Sequence, residues 1–254
     1  MVTSTEIQAY WDEYALYPQI GAVEWGSREF FEQIKEDHDK AYADSNEILN
    51  IPSHKGKTVL EICCGVGFDA LELAKHGAKV TFISPSPRLI ELTRKYFAYQ
   101  GLDANLKIGN GDELPFQANS FDVVIARGIL MFTAHPENVL SEIFRILKPD
   151  GEVVAHLHNK YSWYVLLARL SRTNLIHEVI DPPVSWRNSI KDAKRMFRNF
   201  SSVRFSYGRF PWLTSKRSGL LAQLYNRIFI PFAKIIPKPI IRPWGYYIII
   251  KAEK

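Results

Sequence analysis

Two glycines in the segment VLEICCGVGFDALELA have the spacing of a nucleotide-binding turn. Gly65 and Gly67 stand between an apolar run, KTVLEI, and a run with helical spacing, FDALELAKH. Glycines at such a place let the backbone turn tightly and approach a ligand, and the N-terminus of the following helix favours negative charge. A G-x-G pair alone is weak evidence, but here it has the strand–turn–helix context that the motif requires.

Two polar residues at the ends of apolar runs belong to the same predicted pocket. Glu61 ends the first run, where a buried charge is costly unless it binds something. Ser84 ends the second run, VTFIS, at the position where a carboxylate would hold both ribose hydroxyls of a nucleotide. A serine lacks that charge, so the contact weakens by about 1.5–3 kcal/mol. We therefore expect weaker binding of the nucleotide. Pro85 and Pro87 are expected to stiffen the loop around Ser84.

Apolar runs alternate with helical patterns in the first 158 residues, which predicts a parallel, doubly wound sheet with right-handed crossovers. Ser86 is the expected N-cap of the helix that starts at Pro87. The expected helices are 4–16, 27–44, 68–76, 87–100 and 137–147, and the expected strands are 57–62, 78–83, 104–109, 121–127 and 152–158.

The pattern changes after residue 158. Helices are expected within 161–172 and 188–200, and two strands at 202–208 and 245–254. The prolines of 211–244 exclude one long helix there, so this insertion is expected to fold over the sheet edge or the active site. We predict a single domain over 1–254, with a helical cover (1–50), a core (55–158), a second helical cover (159–200) and the last strands with their insertion (201–254).

The bulk composition limits the classes of function. The chain has 254 residues, 46% of them apolar, with two adjacent cysteines that exclude a disulfide framework. We expect a cytoplasmic protein, because the sequence shows neither a signal peptide nor an apolar run that could span a membrane. We expect no metal site. Residues 151–254 carry 18 basic and 5 acidic side chains, so this half is expected either to meet an anionic partner or to be an inert basic surface.

Four segments, in order, resemble the class I S-adenosylmethionine-dependent methyltransferases, with motifs of the ubiquinone and menaquinone type: VLEICCGVGFDALELAKHGAKVTFI, ELTRKYFAYQGL, GDELPFQANSFDVVIARGILMF and ENVLSEIFRILKPDGEVV. The resemblance covers about a hundred residues. It implies a Rossmann-like α/β fold with a seven-stranded, mostly parallel sheet whose last strand is antiparallel and inserted beside the fifth. It also implies S-adenosylmethionine as cofactor and S-adenosylhomocysteine as product.

The resemblance carries roles to particular residues. Glu61 would order the glycine turn and face the cofactor amino group, with Gly65 and Gly67 under the methionine moiety. The loop of Asn110, Gly111 and Asp112 would hold the adenine edge. Two registers remain open there, because either Asn110 or Asp112 can be the side chain that accepts from the adenine amino group, and Asp112 could instead be a turn residue.

Other positions of this pocket need separate comment. Arg127 ends the fourth strand, where the family's backbone meets the methionine end; the alternative is a surface ion pair. Cys63 replaces the first glycine of the motif and is either a pocket residue or an inert packed thiol. Pro85, directly after Ser84, is also expected to line the pocket.

Candidate catalytic residues lie where the strands end. A general base helps transfer to a hydroxyl, and His158, nearest the end of strand five, is the first candidate, with Tyr17 on the N-terminal cover as the second. His156, Tyr161, Tyr10 and Tyr14 are further candidates, and each of these residues could instead be structural.

The sequence therefore predicts in-line methyl transfer to an O, N or C atom of a small molecule. Two alternatives stay open: a relative that keeps the pocket without transferring methyl, and an enzyme whose basic half meets a macromolecule, nucleic acid being disfavoured. The basic and apolar insertion 211–244 suits an anionic or lipid-like acceptor and contact with a membrane surface, or a simple substrate lid.

Overall fold

The computed structural model describes residues 2–14, 23–62, 65–171, 182–210 and 220–254. Its eight strands belong to one sheet, with seven in the order β3-β2-β1-β4-β5-β8-β7 and β6 beside the end of β5. The strands are β1 (Thr58–Ile62), β2 (Lys79–Ser84), β3 (Asn105–Ile108), β4 (Phe121–Ala126), β5 (Leu147–Asn159), β6 (Arg187–Asn188), β7 (Ser202–Gly208) and β8 (Tyr247–Glu253).

Strand directions confirm the expected architecture. Strands β1 to β5 pair in parallel, whereas β8 is antiparallel to both of its neighbours, β5 and β7. The expectation of seven strands omitted β6, which pairs with β5 through only two residues. A two-residue strand carries no alternation of apolar and polar positions, so the sequence gives no signal for it.

Ten α-helices are described, and most have the expected positions. They are α1 (Ser4–Tyr14), α2 (Arg28–Leu49), α3 (Phe68–Lys75), α4 (Pro87–Tyr99), α5 (Pro136–Ile146), α6 (Trp163–Ser171), α7 (Ile190–Met196), α8 (Leu220–Leu224), α9 (Ile230–Ile235) and α10 (Lys238–Ile241). Helix α2 runs to Leu49, past the predicted end at residue 44, and closes at Asn50 in the left-handed conformation. Among the described helices, none has both the length and the apolar character needed to cross a bilayer.

The core lies on both faces of the sheet. Leu60, Ile62 and Val124 belong to a buried cluster with α5 and the last strands, whereas Phe30, Phe68 and Phe82 belong to one with α2, α3 and α4. Because both faces are covered, the central strands are almost wholly apolar, as parallel strands in doubly wound folds generally are.

Local chemistry fixes the start of α4 at the pocket. The Ser86 hydroxyl accepts a hydrogen bond from the Leu89 N–H, and Pro87 occupies the first turn, as predicted. This cap sets the direction in which the chain leaves β2, directly after Ser84.

The described part of the insertion, 220–244, is helical in short pieces, as its prolines predict. Helices α8 and α9 are joined by a π-helical stretch, Tyr225–Phe229, in which the Ile230 N–H bonds to the Tyr225 carbonyl. Tyr225 and Ile230 are buried in a cluster with Trp163, Tyr246 and Tyr247. This part of the insertion therefore packs over the start of β8.

Candidate active site

A cavity of about 390 Å³ opens at the carboxyl ends of the parallel strands. The sheet order changes direction between β1 and β4, and this is where ligands bind in open α/β sheets. One half of the cavity is lined by the ends of β1 to β4, at Gly65, Ser84, Pro85, Asn110, Gly111, Asp112 and Gly128. The other half is lined by β5 and the elements after it, at His158, Tyr164, Arg187, Arg209, Tyr246 and Tyr247.

The glycine turn has the conformation expected of it. Gly65 (φ 63°) and Gly67 (φ 75°) are both left-handed, a region that glycine enters without cost. Gly65 lines the cavity, whereas Gly67 does not. A Cβ on Gly67 would lie 3.0 Å from Thr93 Cγ2 and 3.4 Å from Phe82 Cδ2, so this glycine allows close packing of helix and strand.

The Glu61 side chain bonds to the first turn of α3, which follows the glycine turn. Its side chain is fully buried, and Oε2 accepts a hydrogen bond from the Ala70 N–H in the first turn of α3. Burial, with the nearby Asp69, raises the pKa of the Glu61 carboxyl well above its usual range. Glu61 does not line the cavity, and its Oε1 has no hydrogen-bond partner among the described residues. Its role toward a cofactor stays a prediction.

The loop after β2 brings Ser84 and Pro85 to the cavity. Ser84 is fully buried, and its Oγ accepts a hydrogen bond from the Ser86 N–H at 3.2 Å, which leaves the hydroxyl proton to donate. The Pro85 carbonyl accepts a hydrogen bond from Gln8 Nε2 of α1 at 2.9 Å. Helix α1 is therefore tied to this loop, as expected for an N-terminal cover.

The loop after β3 brings Asn110, Gly111 and Asp112 to the cavity together. Gly111 is buried, and a Cβ there would lie 3.2 Å from Ile129 Cδ1. Asn110 and Asp112 both reach the cavity, so both registers for the adenine contact remain available.

Arg127 is placed differently from both expectations. Its side chain is fully buried and does not line the cavity. The Nε atom lies 3.2 Å from Asp69 Oδ2, both terminal nitrogens donate to Asn46 Oδ1, and the guanidinium stacks 4.4 Å from the Tyr42 ring centroid. The ion pair is internal rather than on the surface, and it joins α2 and α3 to the end of β4. The neighbouring Gly128 reaches the cavity in its place.

The histidines of β5 have different environments. His158 lines the cavity, with ring contacts to Phe132 and Tyr246. His156 is fully buried outside the cavity, and neither ring nitrogen has a hydrogen-bond partner in the described part of the chain. Burial together with the Arg127 charge lowers the pKa of His156 well below the usual range. The ring of His156 is therefore neutral, and of these two histidines only His158 lines the cavity.

The tyrosine candidates differ in whether they line the cavity. Tyr10 of α1 lines the cavity, whereas Tyr161 is 67% exposed and does not. Tyr17 and Cys63, together with the side chain of Tyr14, lie outside the described part of the chain. Among the described residues there is no group of three or more metal-binding side chains.

Sequence reasoning missed several lining residues. Asp37, His38 and Tyr42 come from α2, and Arg209 and Tyr246 come from the ends of β7 and β8. Helical spacing placed 27–44 in a helix without indicating which side chains face a ligand. The one local signal for these lining residues is the pair of aromatic residues in GYYIII, directly before a buried strand.

The match to known proteins falls on the core. Residues 59–151 match the family model described as a methyltransferase domain. The sterol 24-C-methyltransferase of Pneumocystis carinii is 33% identical over 121 residues, which cover 46% of this chain and 31% of that protein. The demethylmenaquinone methyltransferase of Lactococcus lactis is 32% identical over 146 residues, which cover 50% and 56%. The chain thus spans about a third to a half of the length of these curated relatives.

Solved structures show the same fold. An S-adenosylmethionine-dependent methyltransferase of Thermotoga maritima superposes with a TM-score of 0.53 over 85% of this chain and 98% of that one, at 19% identity. These matches show that residues 59–151 are similar to a methyltransferase domain, and that the chain has the fold of a solved S-adenosylmethionine-dependent methyltransferase. Residues 59–151 carry the methyltransferase domain, and S-adenosylmethionine is the cofactor that such a domain implies.

The residues of the first half of the cavity suit that cofactor. Ser84 has a hydroxyl proton free to donate to a ribose oxygen, and Asn110 and Asp112 offer acceptors for an adenine amino group. Leu89 and Ile129 give apolar walls for a flat base. The left-handed Gly65 leaves its backbone open to a close contact.

The buried ion pair beneath the cavity leads to a stability prediction. The substitution Arg127→Met leaves Asp69 buried without its counter-charge, so we expect the free energy of unfolding to fall by about 3–5 kcal/mol. Arg195→Met is the matched control, because Arg195 pairs with Asp192 on an exposed helix surface and should lose less than about 1 kcal/mol. Urea unfolding followed by circular dichroism measures both.

Equal losses in the two variants would contradict an internal role for Arg127. If Arg127→Met does not fold, the double substitution Arg127→Met and Asp69→Leu should restore folding, because it removes both buried charges together.

Proposed function

We propose that this protein transfers a methyl group from S-adenosylmethionine to a small-molecule acceptor bound in the second half of the cavity. The observation that supports this proposal is that one cavity has two different linings. Strand-end residues suited to a nucleoside line the first half, and a histidine, tyrosines and arginines line the second. The acceptor would be anionic or lipid-like, and the attacking atom an oxygen, nitrogen or carbon.

Methyl transfer from a sulfonium requires orientation of the acceptor more than activation of the methyl group. S-adenosylmethionine, when bound, supplies a methyl group already activated on a sulfonium. The chain has to hold a nucleophile in line at about 3–3.5 Å and to exclude water. Helices α1 and α2 line the cavity with Tyr10, Trp11 and Tyr42, which supports a role for them in excluding water.

We propose His158 as the general base for an acceptor that must lose a proton. Its ring lies on the cavity wall at the end of β5, next to Tyr246. Burial raises the pKa of the Tyr246 phenol, so this side chain is neutral and can only orient a substrate by hydrogen bonding. Tyr17 stays a second candidate, outside the described residues.

The cofactor contact at Ser84 gives the first test of this function. We expect S-adenosylhomocysteine to bind, and Ser84→Asp to tighten binding about ten- to a hundredfold, because a carboxylate accepts from both ribose hydroxyls. Ser84→Asn is the matched control: it has similar size without charge and should not give this gain. Isothermal titration calorimetry measures all three proteins.

No binding of S-adenosylhomocysteine at millimolar concentration would contradict the proposed function. Weaker binding by Ser84→Asp would show instead that the pocket is built around serine. Binding without any transfer of labelled methyl groups to small molecules of a cell extract would favour a relative that keeps the pocket and does not methylate.

The insertion supports contact with a membrane surface. Leu220, Ile228, Phe232 and Ile235 are 72%, 62%, 63% and 79% exposed, and with Leu224 they recur every three or four residues along α8 to α9. The opposite side of these helices is buried against the aromatic cluster of Trp163 and Tyr246. Exposed apolar stripes of this kind are typical of interaction surfaces.

The charge of the insertion indicates what kind of surface it would contact. Residues 211–244 contain six basic residues and no acidic ones, which fits an anionic lipid surface. Tyr164 and Tyr246, which belong to the cluster beneath these helices, also line the cavity. A lipid-like acceptor would then be taken up close to the surface that supplies it. The matched relatives named as sterol and demethylmenaquinone methyltransferases agree with this reading.

Vesicle sedimentation tests this surface. We expect the protein to sediment with vesicles of phosphatidylcholine containing phosphatidylserine, and less in high salt, because the basic residues contribute about 1 kcal/mol each. The double substitution Phe232→Glu and Ile235→Glu should abolish sedimentation. Tyr99→Glu with Ile108→Glu is the control, because both residues are exposed apolar side chains outside the insertion and the added charge is equal.

Absence of sedimentation by the unaltered protein would contradict the proposal. An equal loss in the control variant would contradict it too, since charge alone would then explain the effect.

A further inference from the structure

Arg209 is held in an unusual backbone conformation at the edge of the cavity. Its φ is 54°, in the left-handed region, which costs a residue with a side chain about 1–2 kcal/mol. The backbone is fixed on both sides: the N–H donates to Asp44 Oδ2 at 2.8 Å, and the carbonyl accepts from Trp163 Nε1 at 3.0 Å. Strained residues that their surroundings hold so firmly are concentrated at functional sites.

The described partners of the Arg209 guanidinium are aromatic side chains. Its Nη1 donates to the Tyr247 hydroxyl at 2.9 Å, and its Cζ lies 5.2 Å from the Tyr246 ring centroid. Within the part of the chain that the structure describes, no carboxylate lies within ion-pair distance of this group. A partly buried cation without a counter-charge is costly, which points to a bound anion as the missing partner.

A second cation faces the same region. His158 is aligned with Arg187 of β6 on one side and with Tyr247 of β8 on the other, and Tyr247 is aligned with Gly208, next to Arg209. Arg187 and Arg209 therefore stand on opposite sides of His158 and both line the cavity. No carboxylate within ion-pair distance of Arg187 is found among the described residues either.

The carboxylates and the arginines of the described lining come from different elements. Asp112, one of its lining carboxylates, comes from the loop after β3 in the first half, and Asp37, the other among the described residues, comes from α2. The elements from β5 onward line the second half with two arginines and no described carboxylate. An anionic group is thus favoured in the second half and disfavoured beside Asp112.

We propose that the second half of the cavity is an anion subsite, in which Arg209 pairs directly with a carboxylate or phosphoryl group of the acceptor and Arg187 supports it from across His158. The planar fork of a guanidinium can bind either group through two parallel hydrogen bonds. The inference rests on the proposed function, since it specifies the acceptor of the same site. It makes Arg209 a specificity-determining residue that directs the nucleophile toward His158.

Three probes of similar size test the subsite. Benzoate and phenyl phosphate carry the two candidate anions, and benzamide is the neutral reference; each is titrated by calorimetry into protein saturated with S-adenosylhomocysteine. We expect at least one anion to bind about tenfold or more tightly than benzamide, and the comparison of the two identifies the favoured group. Arg209→Gln should remove this preference, and Arg209→Lys should keep only part of it.

Arg204→Gln is the matched control. Arg204 lies on β7, the strand that ends directly before Arg209. It is exposed and stands 3.9 Å from Glu253, so its loss should leave anion binding unchanged. The affinity for S-adenosylhomocysteine should be the same in all variants. If Arg209→Gln does not fold, the exposed Arg187→Gln serves in its place, and a fall in anion affinity of severalfold is expected.

The outcomes separate the two proposals. If S-adenosylhomocysteine does not bind, the proposed function fails. If it binds and the anions bind no better than benzamide, or equally well to Arg209→Gln, the anion subsite is wrong. A variant that loses affinity for S-adenosylhomocysteine instead would place Arg209 against the cofactor and overturn its assignment to the acceptor.

Discussion

The reversal of strand order between β1 and β4 is the constraint on which the rest of the structure depends. Right-handed crossovers send the chain toward β3 on one side of β1 and toward β5 on the other, so the crossover helices leave a crevice at the carboxyl ends of the strands where the two directions separate. The strand-end loops carrying Gly65, Ser84 and Asp112 meet at this opening. Side chains that are far apart in sequence therefore share one cavity.

The antiparallel β8 divides the cavity into two chemically different halves. Because β8 is inserted between β5 and β7, the start of β8 and the end of β7 come beside the carboxyl end of β5. Tyr247 and Arg209 thereby join His158 of β5 in lining the cavity. We propose a nucleoside for the first half and a molecule with a negative charge for the second.

Much of the fold could be predicted from the sequence, because its signals are local. The cap at Ser86 and the strand at 202–208 depend on neighbouring residues and are found as expected, and the strand expected at 121–127 is found at Phe121–Ala126. The glycine turn and the loop at Asn110 to Asp112 follow from motif spacing, and the cavity contains Gly65, Ser84 and both candidates for the adenine contact.

The remaining features of the site depend on contacts between distant residues, which no local sequence pattern predicts. Arg209 meets Asp44 across 165 residues, and Arg127 meets Asn46 across 81. Arg127 follows an apolar strand just as a pocket residue would, yet it points into a network between α2 and α3. Sequence spacing predicts which strand end a residue occupies, but not which face of the sheet its side chain takes when helices cover both.

Hydrogen–deuterium exchange with and without S-adenosylhomocysteine tests the division of the cavity most directly. Amides in the loops at 84–89 and 109–112 should exchange more slowly when the ligand is bound, because the nucleoside would lie against them. Amides around Arg209 and Tyr246 should change little, since that half is left for the acceptor. Protection centred on Arg209 and Tyr246, with none in the strand-end loops, would contradict this account of the site.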